Sequence, residues 1–393
     1  MENFNFKAET NILFGKGQVD KLPNVLSSFG KNVLLVYGGG SIKRSGLYDK
    51  INQLLGDDFN LFELPGVEPN PRIETVRKGA ALCKEHNIDV CLAVGGGSTI
   101  DCTKAIAAAR FYQGDPWDFT QDSRLVKEAL PIVTILTIAA TGSEMNGGSV
   151  LTNVETKEKL SFGSRKVVPK VSILDPTLTF SVPTYQTLAG SSDILSHLFE
   201  NYFNKTPNTM VQDGIAEGLM RTVYHYTPLA LKNPEDYDAR ANLMWVSSLA
   251  LNGLTGSGKS GIWSCHGMEH ELSAYYDITH GIGLAIITPR WMQHILSEET
   301  AERFAMFGRR VFDLEKDDDM MKTAQKAIEL TYETFKEWGV PMTLGEVGID
   351  NKLLEEMAEQ TIKHKDLATE AYVSLDKEDV LAIFEASLEE MNF

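Results

Sequence analysis

The sequence predicts an α/β amino-terminal domain built on a parallel sheet, followed by an all-α carboxy-terminal domain, with the boundary at residues 185/186. Three observations carry this prediction. Short apolar, β-branched runs alternate with helix-compatible stretches up to about residue 185, and strands buried on both faces with helices between them are what a parallel sheet produces. Two of those runs end in the same turn, Gly-Gly-Gly-Ser. Beyond Pro183 the strand-like runs stop, and apolar residues recur at helical spacing.

In chain order, the first strand is expected at residues 31–37, KNVLLVY, closed by Gly38, Gly39, Gly40 and Ser41 and followed by a helix around 47–55. The second runs over 88–94, IDVCLAV, closed by Gly95, Gly96, Gly97 and Ser98 and followed by a helix over 100–110. Further buried strands are expected at 131–138 and 168–174, and helices over 210–224, 236–252, 301–312 and 322–338. The acidic stretches 315–319 and 375–379 read as solvated helix starts or loops.

A chain of 393 residues is too long for one ordinary core and fits two domains, 1–185 and 186–393. Its formal net charge of −17, from 54 acidic against 37 basic residues, argues against nucleic acid or an anionic membrane surface as the main partner. No apolar segment approaches the roughly 20 residues of a membrane span, and the start has no signal-peptide pattern, so a cytoplasmic protein is expected. Cys83, Cys91, Cys102 and Cys265 lack CxxC spacing, which argues against a disulfide framework; the first three read as buried small residues, while Cys265 stands apart because it is directly beside His266.

The two glycine turns carry the first chemical signal. Glycines let the backbone approach a phosphate, and the helix that follows offers unpaired N–H donors and a favourable dipole. Two such turns on one α/β sheet would form a crevice at the strands' carboxyl ends, where nucleotides bind. Neither matches GxGxxG, so ordinary serine-capped turns are the plain alternative. A third polar turn, TIAATGSE at 137–144, offers Thr137, Thr141 and Ser143.

The second signal is a pool of imidazoles. Asp193 and His197, four residues apart, share a helix face. His266, His270 and His280 fall within WSCHGMEHELSAYYDITH. Imidazoles with a carboxylate suit a borderline divalent cation such as Zn²⁺ or Fe²⁺. On one straight helix His266 and His280 would lie about 21 Å apart, at about 1.5 Å per residue. Spacing alone therefore favours His266 with His270, while the β-branched residues and glycines of YYDITHGIG permit a break that would admit His280.

Taken together and in this order, the two Gly-Gly-Gly-Ser turns, TIAATGSE, ILDP, DILSHLFE and WSCHGMEHELSAYYDITHGIGLAI resemble the iron-containing, or group III, alcohol dehydrogenases, and within them the NADPH-dependent butanol dehydrogenase and aldehyde reductase branch. The resemblance implies a Rossmann-like dinucleotide-binding α/β domain and an all-helical metal-binding domain, a dehydroquinate synthase-like architecture with the active site in a cleft between them. It assigns the metal, Fe²⁺ first and Zn²⁺ second, to Asp193, His197, His266 and His280, and leaves His270 as a non-ligand near the nicotinamide that could carry a proton. It places the pyrophosphate at Gly95, Gly96, Gly97 and Ser98, the nicotinamide side at Thr137 and Thr141, a ribose at Lys159, and further cofactor contacts at Gly38, Gly39, Gly40, Ser41, Asp101 and Leu178.

Relatives that prefer NAD carry an aspartate just after the first strand. Here Gly39 and Ser41 occupy that turn with Lys43 and Arg44 behind, so NADP(H) is the expected cofactor. The implied reaction is reversible hydride transfer between NADP(H) and a short or medium-chain aldehyde or primary alcohol, in a homodimer. Phe199, Leu251, Leu254 and Trp263 read equally as lining of a substrate cleft for aliphatic chains or as core packing. The competing readings are a lyase of the dehydroquinate synthase kind or a polyol dehydrogenase on the same fold, and a non-catalytic nucleotide- or metal-binding protein.

Overall fold

Residues 33–37 and 90–95 are buried throughout, and they become adjacent interior strands of a six-stranded, wholly parallel sheet. The structure is a computed structural model and describes residues 1–393. Its strands are β1 (Asn11–Phe14), β2 (Asn32–Tyr37), β3 (Asn60–Leu64), β4 (Val90–Gly95), β5 (Ile132–Leu136), β6 (Gly148–Asn153), β7 (Glu158–Gly163) and β8 (Val171–Leu174). The sheet order is β1-β8-β5-β4-β2-β3, with β6 and β7 apart as an antiparallel hairpin.

Helices α1 (Leu22–Ser27), α2 (Ser41–Arg44), α3 (Leu47–Leu55), α4 (Ile73–Glu85), α5 (Gly97–Ala109) and α6 (Asp118–Gln121) intervene between the strands. Alternate residues of β2 feed opposite faces: Leu34 and Val36 join one apolar cluster, and Val33, Leu35 and Tyr37 join another. From β2 the chain moves outward to β3 on one side, whereas β4 and β5 extend the sheet on the other. That reversal between β2 and β4 is the switch point at which open α/β sheets bind ligands.

After β8 the chain is helical, as its periodicity predicts: α7 (Thr184–Tyr202), α8 (Met210–Lys232), α9 (Tyr237–Ala250), α10 (Ser264–Tyr276), α11 (His280–Ile295), α12 (Ala301–Val311), α13 (Met320–Trp338), α14 (Leu354–His364) and α15 (Lys377–Ala386). No helix is long and apolar enough to cross a membrane. All four cysteines are buried and free, Cys265 included.

Several features differ from the sequence reading, which named neither β1 nor β3 as a strand. The hairpin β6–β7 falls where no strand was expected, its turn made possible by Lys157 in the left-handed region at φ 53°. A single cut at 185/186 also does not describe the division into compact units. One unit is Lys7–Pro183 with Asn233–Asn252, and the other is Met1–Phe6, Thr184–Lys232 and Gly253–Phe393. Helix α9 thus belongs with the sheet. Its Ser248 hydroxyl donates to the buried Glu144 carboxylate, and the backbone of Gly142 comes so near that a Cβ there would stand 2.6 Å from the Ser247 carbonyl oxygen.

Candidate metal centre and dinucleotide turns

Helix α7 is buried on every side from Thr187 to its end, the pattern of a helix at the centre of a bundle. Three functional side chains follow one face of it: Asp193, His197 one turn on, and Glu200. Asp193 and His197 are each 3% exposed, and Glu200 is 4% exposed.

The break that admits His280 is present. Helix α10 ends at Tyr276, Asp277 takes a left-handed conformation at φ 52°, Thr279 is extended, and His280 opens α11. Two glycines let α11 settle there. A Cβ on Gly281 would lie 1.9 Å from the carbonyl oxygen of Ala189 on α7, and one on Gly283 would lie 2.8 Å from Glu269 Cγ on α10.

The result is a convergence of three Nε2 atoms on one carboxylate oxygen. Asp193 Oδ1 stands 3.4 Å from His197 Nε2, 3.8 Å from His266 Nε2 and 3.7 Å from His280 Nε2. Neither Asp193 Oδ1 nor His266 Nε2 has a hydrogen-bond partner, although both are buried. Buried polar atoms are normally satisfied, and one oxygen with imidazole nitrogens is a donor set for a divalent cation. The residues present therefore fit the metal that the resemblance implies.

A second trio, Glu269, His270 and His280, has its donor atoms within 4.8 Å of one another. Glu269 is already committed there: it bonds the Nδ1 of His280 and accepts from Ser273 Oγ. The Asp193 cluster, with its orphaned atoms, is the better cation site.

Two carboxylates that the sequence reading missed hold the imidazoles from behind. Glu200 bonds His266 Nδ1 and accepts from the backbone N–H of Cys265 at 2.7 Å and of His266 at 3.1 Å. Glu269 does the same for His280 Nδ1. Such bonds fix the tautomer that presents Nε2 forward and raise the basicity of the ligand. The signal was available: Glu200 lies three residues after His197, and Glu269 three after His266.

Electrostatics within the cluster are strongly coupled. Burial would raise the Asp193 carboxyl, but the neighbouring imidazoles outweigh it and hold the group well below the usual carboxylate range. Burial pushes His197 down to about 3, against the pull of Asp193. Burial also opposes charge on His266, yet Glu200 and Asp193 prevail and lift it to about 9.

His270, 6% exposed, sits one turn along α10 from His266, with ring centroids 6.4 Å from His266 and 5.8 Å from His280. The pairing of His266 with His270 that spacing favours is thus replaced, around Asp193, by His266 with His280. Trp263 packs beside His266 and His197, at 4.9 and 5.6 Å between centroids. Of the two readings open for Phe199, the structure gives core packing: it is fully buried against Phe203 and Phe307. Cys265 is likewise core, with no exposure.

In the other unit, parallel register puts the turns side by side. Tyr37 pairs with Val94 and Gly95 with Leu136, so the segments after β2, β4 and β5 leave the sheet together. Gly96 caps α5 in an extended conformation with no side-chain cap, which leaves the first N–H groups of a 13-residue helix for an anion. The first turn is not equivalent: α2 has only four residues and little dipole to offer. The glycines of the second turn also serve packing, since a Cβ on Gly97 would meet Thr141 Oγ1 at 2.3 Å and one on Gly96 would meet Ile138 Cγ2 at 2.3 Å. Ser98 is no cap; its hydroxyl turns to the Pro69 carbonyl.

Thr137 and Thr141 are partly exposed in their turn. Lys159 is 4% exposed on β7 and so is not a solvated surface charge. Leu178 lies partly buried on a short turn against the sheet core. Asp101 accepts from Ser143 Oγ through one oxygen and from the N–H of Val150, at 2.9 Å, through the other. At the first turn, Lys43 lies over the Tyr48 ring at 4.5 Å, and both Tyr37 and Tyr48 donate to Glu63.

Comparison with known proteins follows this geometry. Residues 9–176 match the family described as iron-containing alcohol dehydrogenase, and residues 187–388 match the C-terminal region of the Fe-containing alcohol dehydrogenase family. The chain is 50% identical over 388 residues to NADH-dependent butanol dehydrogenase A of Clostridium acetobutylicum, covering 98% of this chain and 100% of that one. It is 37% identical to the NADPH-dependent aldehyde reductase YqhD of Escherichia coli over 93% of this chain and 94% of that one. The crystal structure of a Thermotoga maritima NADH-dependent butanol dehydrogenase A superposes with a TM-score of 0.94 at 38% identity, covering 99% of each chain. The parallel-sheet unit followed by helices is the architecture of these relatives, the dehydroquinate synthase-like arrangement that the resemblance implied.

Proposed function

The chain belongs to the iron-containing alcohol dehydrogenase family, and from that premise we propose that it interconverts a short or medium-chain aldehyde and its primary alcohol, using NADP(H) and one divalent cation held by Asp193, His197, His266 and His280. The observation that carries the reading is the convergence of three Nε2 atoms on Asp193 Oδ1. When bound, the cation supplies Lewis acidity toward the substrate oxygen and the dinucleotide supplies or accepts the hydride.

The protein's own groups orient, shield and move protons. Glu200 and Glu269 hold His266 and His280 with Nε2 forward. The burial of Asp193 and His197 keeps bulk water off that side of the centre, where charge interactions are consequently strong. His270, next to both His266 and His280, is the group that exchanges the proton of the alcohol with solvent.

The N–H groups at the start of α5 receive the pyrophosphate, Thr137 and Thr141 the nicotinamide side, and Lys159 a ribose. Preference for NADP(H) is supported by Gly39, where no carboxylate stands to repel a 2′-phosphate and where a Cβ would meet nothing within 4 Å, and by Arg44 beside Gly40. Use of NADH is the second reading, favoured by the likeness to the NADH-dependent butanol dehydrogenase A of Clostridium acetobutylicum and by the engagement of Lys43 with Tyr48.

The test is oxidation of NADPH and, separately, NADH with butanal, on protein stripped of metal anaerobically and reloaded with Fe²⁺ or Zn²⁺. Activity that returns only with metal and is greater with NADPH supports the proposal. Equal or greater rates with NADH overturn the cofactor preference alone, and no turnover under any loading overturns the reaction.

A further inference from the structure

Lys104 is fully buried on α5, three residues beyond Asp101. Its ammonium donates to Ser143 Oγ at 2.7 Å, Asn146 Oδ1 at 3.1 Å and the Gly148 carbonyl at 2.6 Å, while the Asp101 carboxylate stays 4.0 Å away. A buried cation without a carboxylate in hydrogen-bond range is costly, and an apolar chain of similar length would sit there more cheaply. Stability alone does not account for a lysine at this place.

Its partners lie at the end of the 137–144 turn, at Ser143, and on the segment that leads from it into β6, at Asn146 and Gly148. Asp101 grips the same segment, bonding Ser143 Oγ, the N–H of Val150 and, through its carbonyl, Ser149 Oγ at 2.9 Å. At the opposite end the turn rests on the last residue of β4 and the first residue of α5. The N–H of Thr137 donates to the Gly95 carbonyl at 3.1 Å, and Thr141 fills the space that Gly97 leaves without a Cβ.

We propose that Asp101 and Lys104 are positioning residues: together they clamp the turn bearing Thr137 and Thr141 to α5, and so set the nicotinamide half of the dinucleotide at a fixed distance from its pyrophosphate. Asp101 then acts through Ser143 and the start of β6 rather than by touching the cofactor. The inference rests on the dinucleotide reading above. A shift of the turn by a fraction of an ångström misplaces a reacting ring that must be held in a near-attack geometry.

Dinucleotide fragments separate this role from a structural one. Fluorescence titration of the full-length chain with NADPH, NADH and ADP-ribose, which lacks the nicotinamide, is made on wild type, Lys104→Met, Ser143→Ala and the double variant. For Lys104→Met the Kd of NADPH and NADH is expected to rise about tenfold or more, as loss of charge-assisted bonds entails, with ADP-ribose within about twofold. The double variant should be no worse than the weaker single one, because both break one network.

Equal weakening of all three ligands, or none, overturns the clamp. Wild type that binds ADP-ribose and both dinucleotides, with Lys104→Met unchanged, sinks the clamp and leaves the dinucleotide reading intact. Wild type that binds none of them sinks both. If Lys104→Met does not fold, Asn146→Ala, which removes one acceptor, takes its place with about a threefold loss for the dinucleotides alone.

Discussion

Replacing Glu200 by glutamine tests whether the carboxylates behind the imidazoles govern the metal centre. Glu200 is 4% exposed and faces three donors: the N–H of Cys265, the N–H of His266 and His266 Nδ1. Glutamine keeps the volume and one acceptor oxygen. Its amide nitrogen must then face a donor, so in either orientation at least one buried N–H loses its acceptor, at a cost of about 1–3 kcal/mol. The loss of negative charge also weakens His266 as a ligand, and carboxylates in this position are worth about 10–100-fold in metal affinity, or ~1.4–2.7 kcal/mol.

The assay is competition between the protein and a chelator for Zn²⁺, alongside thermal unfolding of the metal-free chain. Glu200→Gln should bind metal at least about tenfold more weakly than wild type. Glu271 is the control: it is equally buried but partners His364 at 2.9 Å, and Glu271→Gln should change metal affinity by less than about threefold. Equal affinities for wild type and Glu200→Gln would refute the reasoning, and equal losses in both variants would reduce it to general destabilisation.

Three further outcomes are expected. Gly281→Ala sets a Cβ 1.9 Å from a backbone oxygen of α7; it should cost about 3 kcal/mol in urea unfolding and lower the metal-to-protein ratio, since His280 is its neighbour. Gly39→Asp has room for its side chain and should raise the ratio of kcat/KM for NADH over NADPH at least about tenfold, by repulsion of the 2′-phosphate. Burial lowers Lys104 from 10.5 to about 8, so between these values the unfolded chain binds more protons than the folded one and this residue makes stability rise with pH. Urea unfolding at pH 8 and pH 10 should therefore shift the stability difference between wild type and Lys104→Met toward wild type by ~2 kcal/mol; an unchanged difference would mean that Lys104 does not lose its proton in that window.

What could be read from the sequence, and what could not, divides by the range of the interaction. Strands buried on both faces write themselves as apolar runs, and the pairing of Asp193 with His197 is fixed by one helical turn; both were legible. The choice between His270 and His280 was not, because it depends on where α10 stops. That stop is set by Asp277 in a left-handed conformation and by Gly281 lying against Ala189, a contact across 92 positions that no local window contains. The placement of α9 with the sheet was hidden for the same reason, since it turns on Ser248 meeting Glu144 and Ser247 meeting Gly142.

Glu200 and Glu269 are a different case. Each stands one helical turn after a candidate ligand in sequence, yet looks like an ordinary helix-surface acid until its burial is known. The two acids answer a physical need that the ligands themselves create. An imidazole that gives Nε2 to a cation must place its Nδ1–H somewhere, and in a buried site that somewhere has to be built. His266 and His280 have their acceptors at Glu200 and Glu269, whereas His197 Nδ1 has none. A buried carboxylate at the Nδ1 of a candidate ligand histidine, supplied here from a neighbouring turn or helix rather than by the acid one turn away, is therefore evidence that the histidine is held for a metal, and among these three imidazoles His197 is the one whose Nδ1 has no such acceptor.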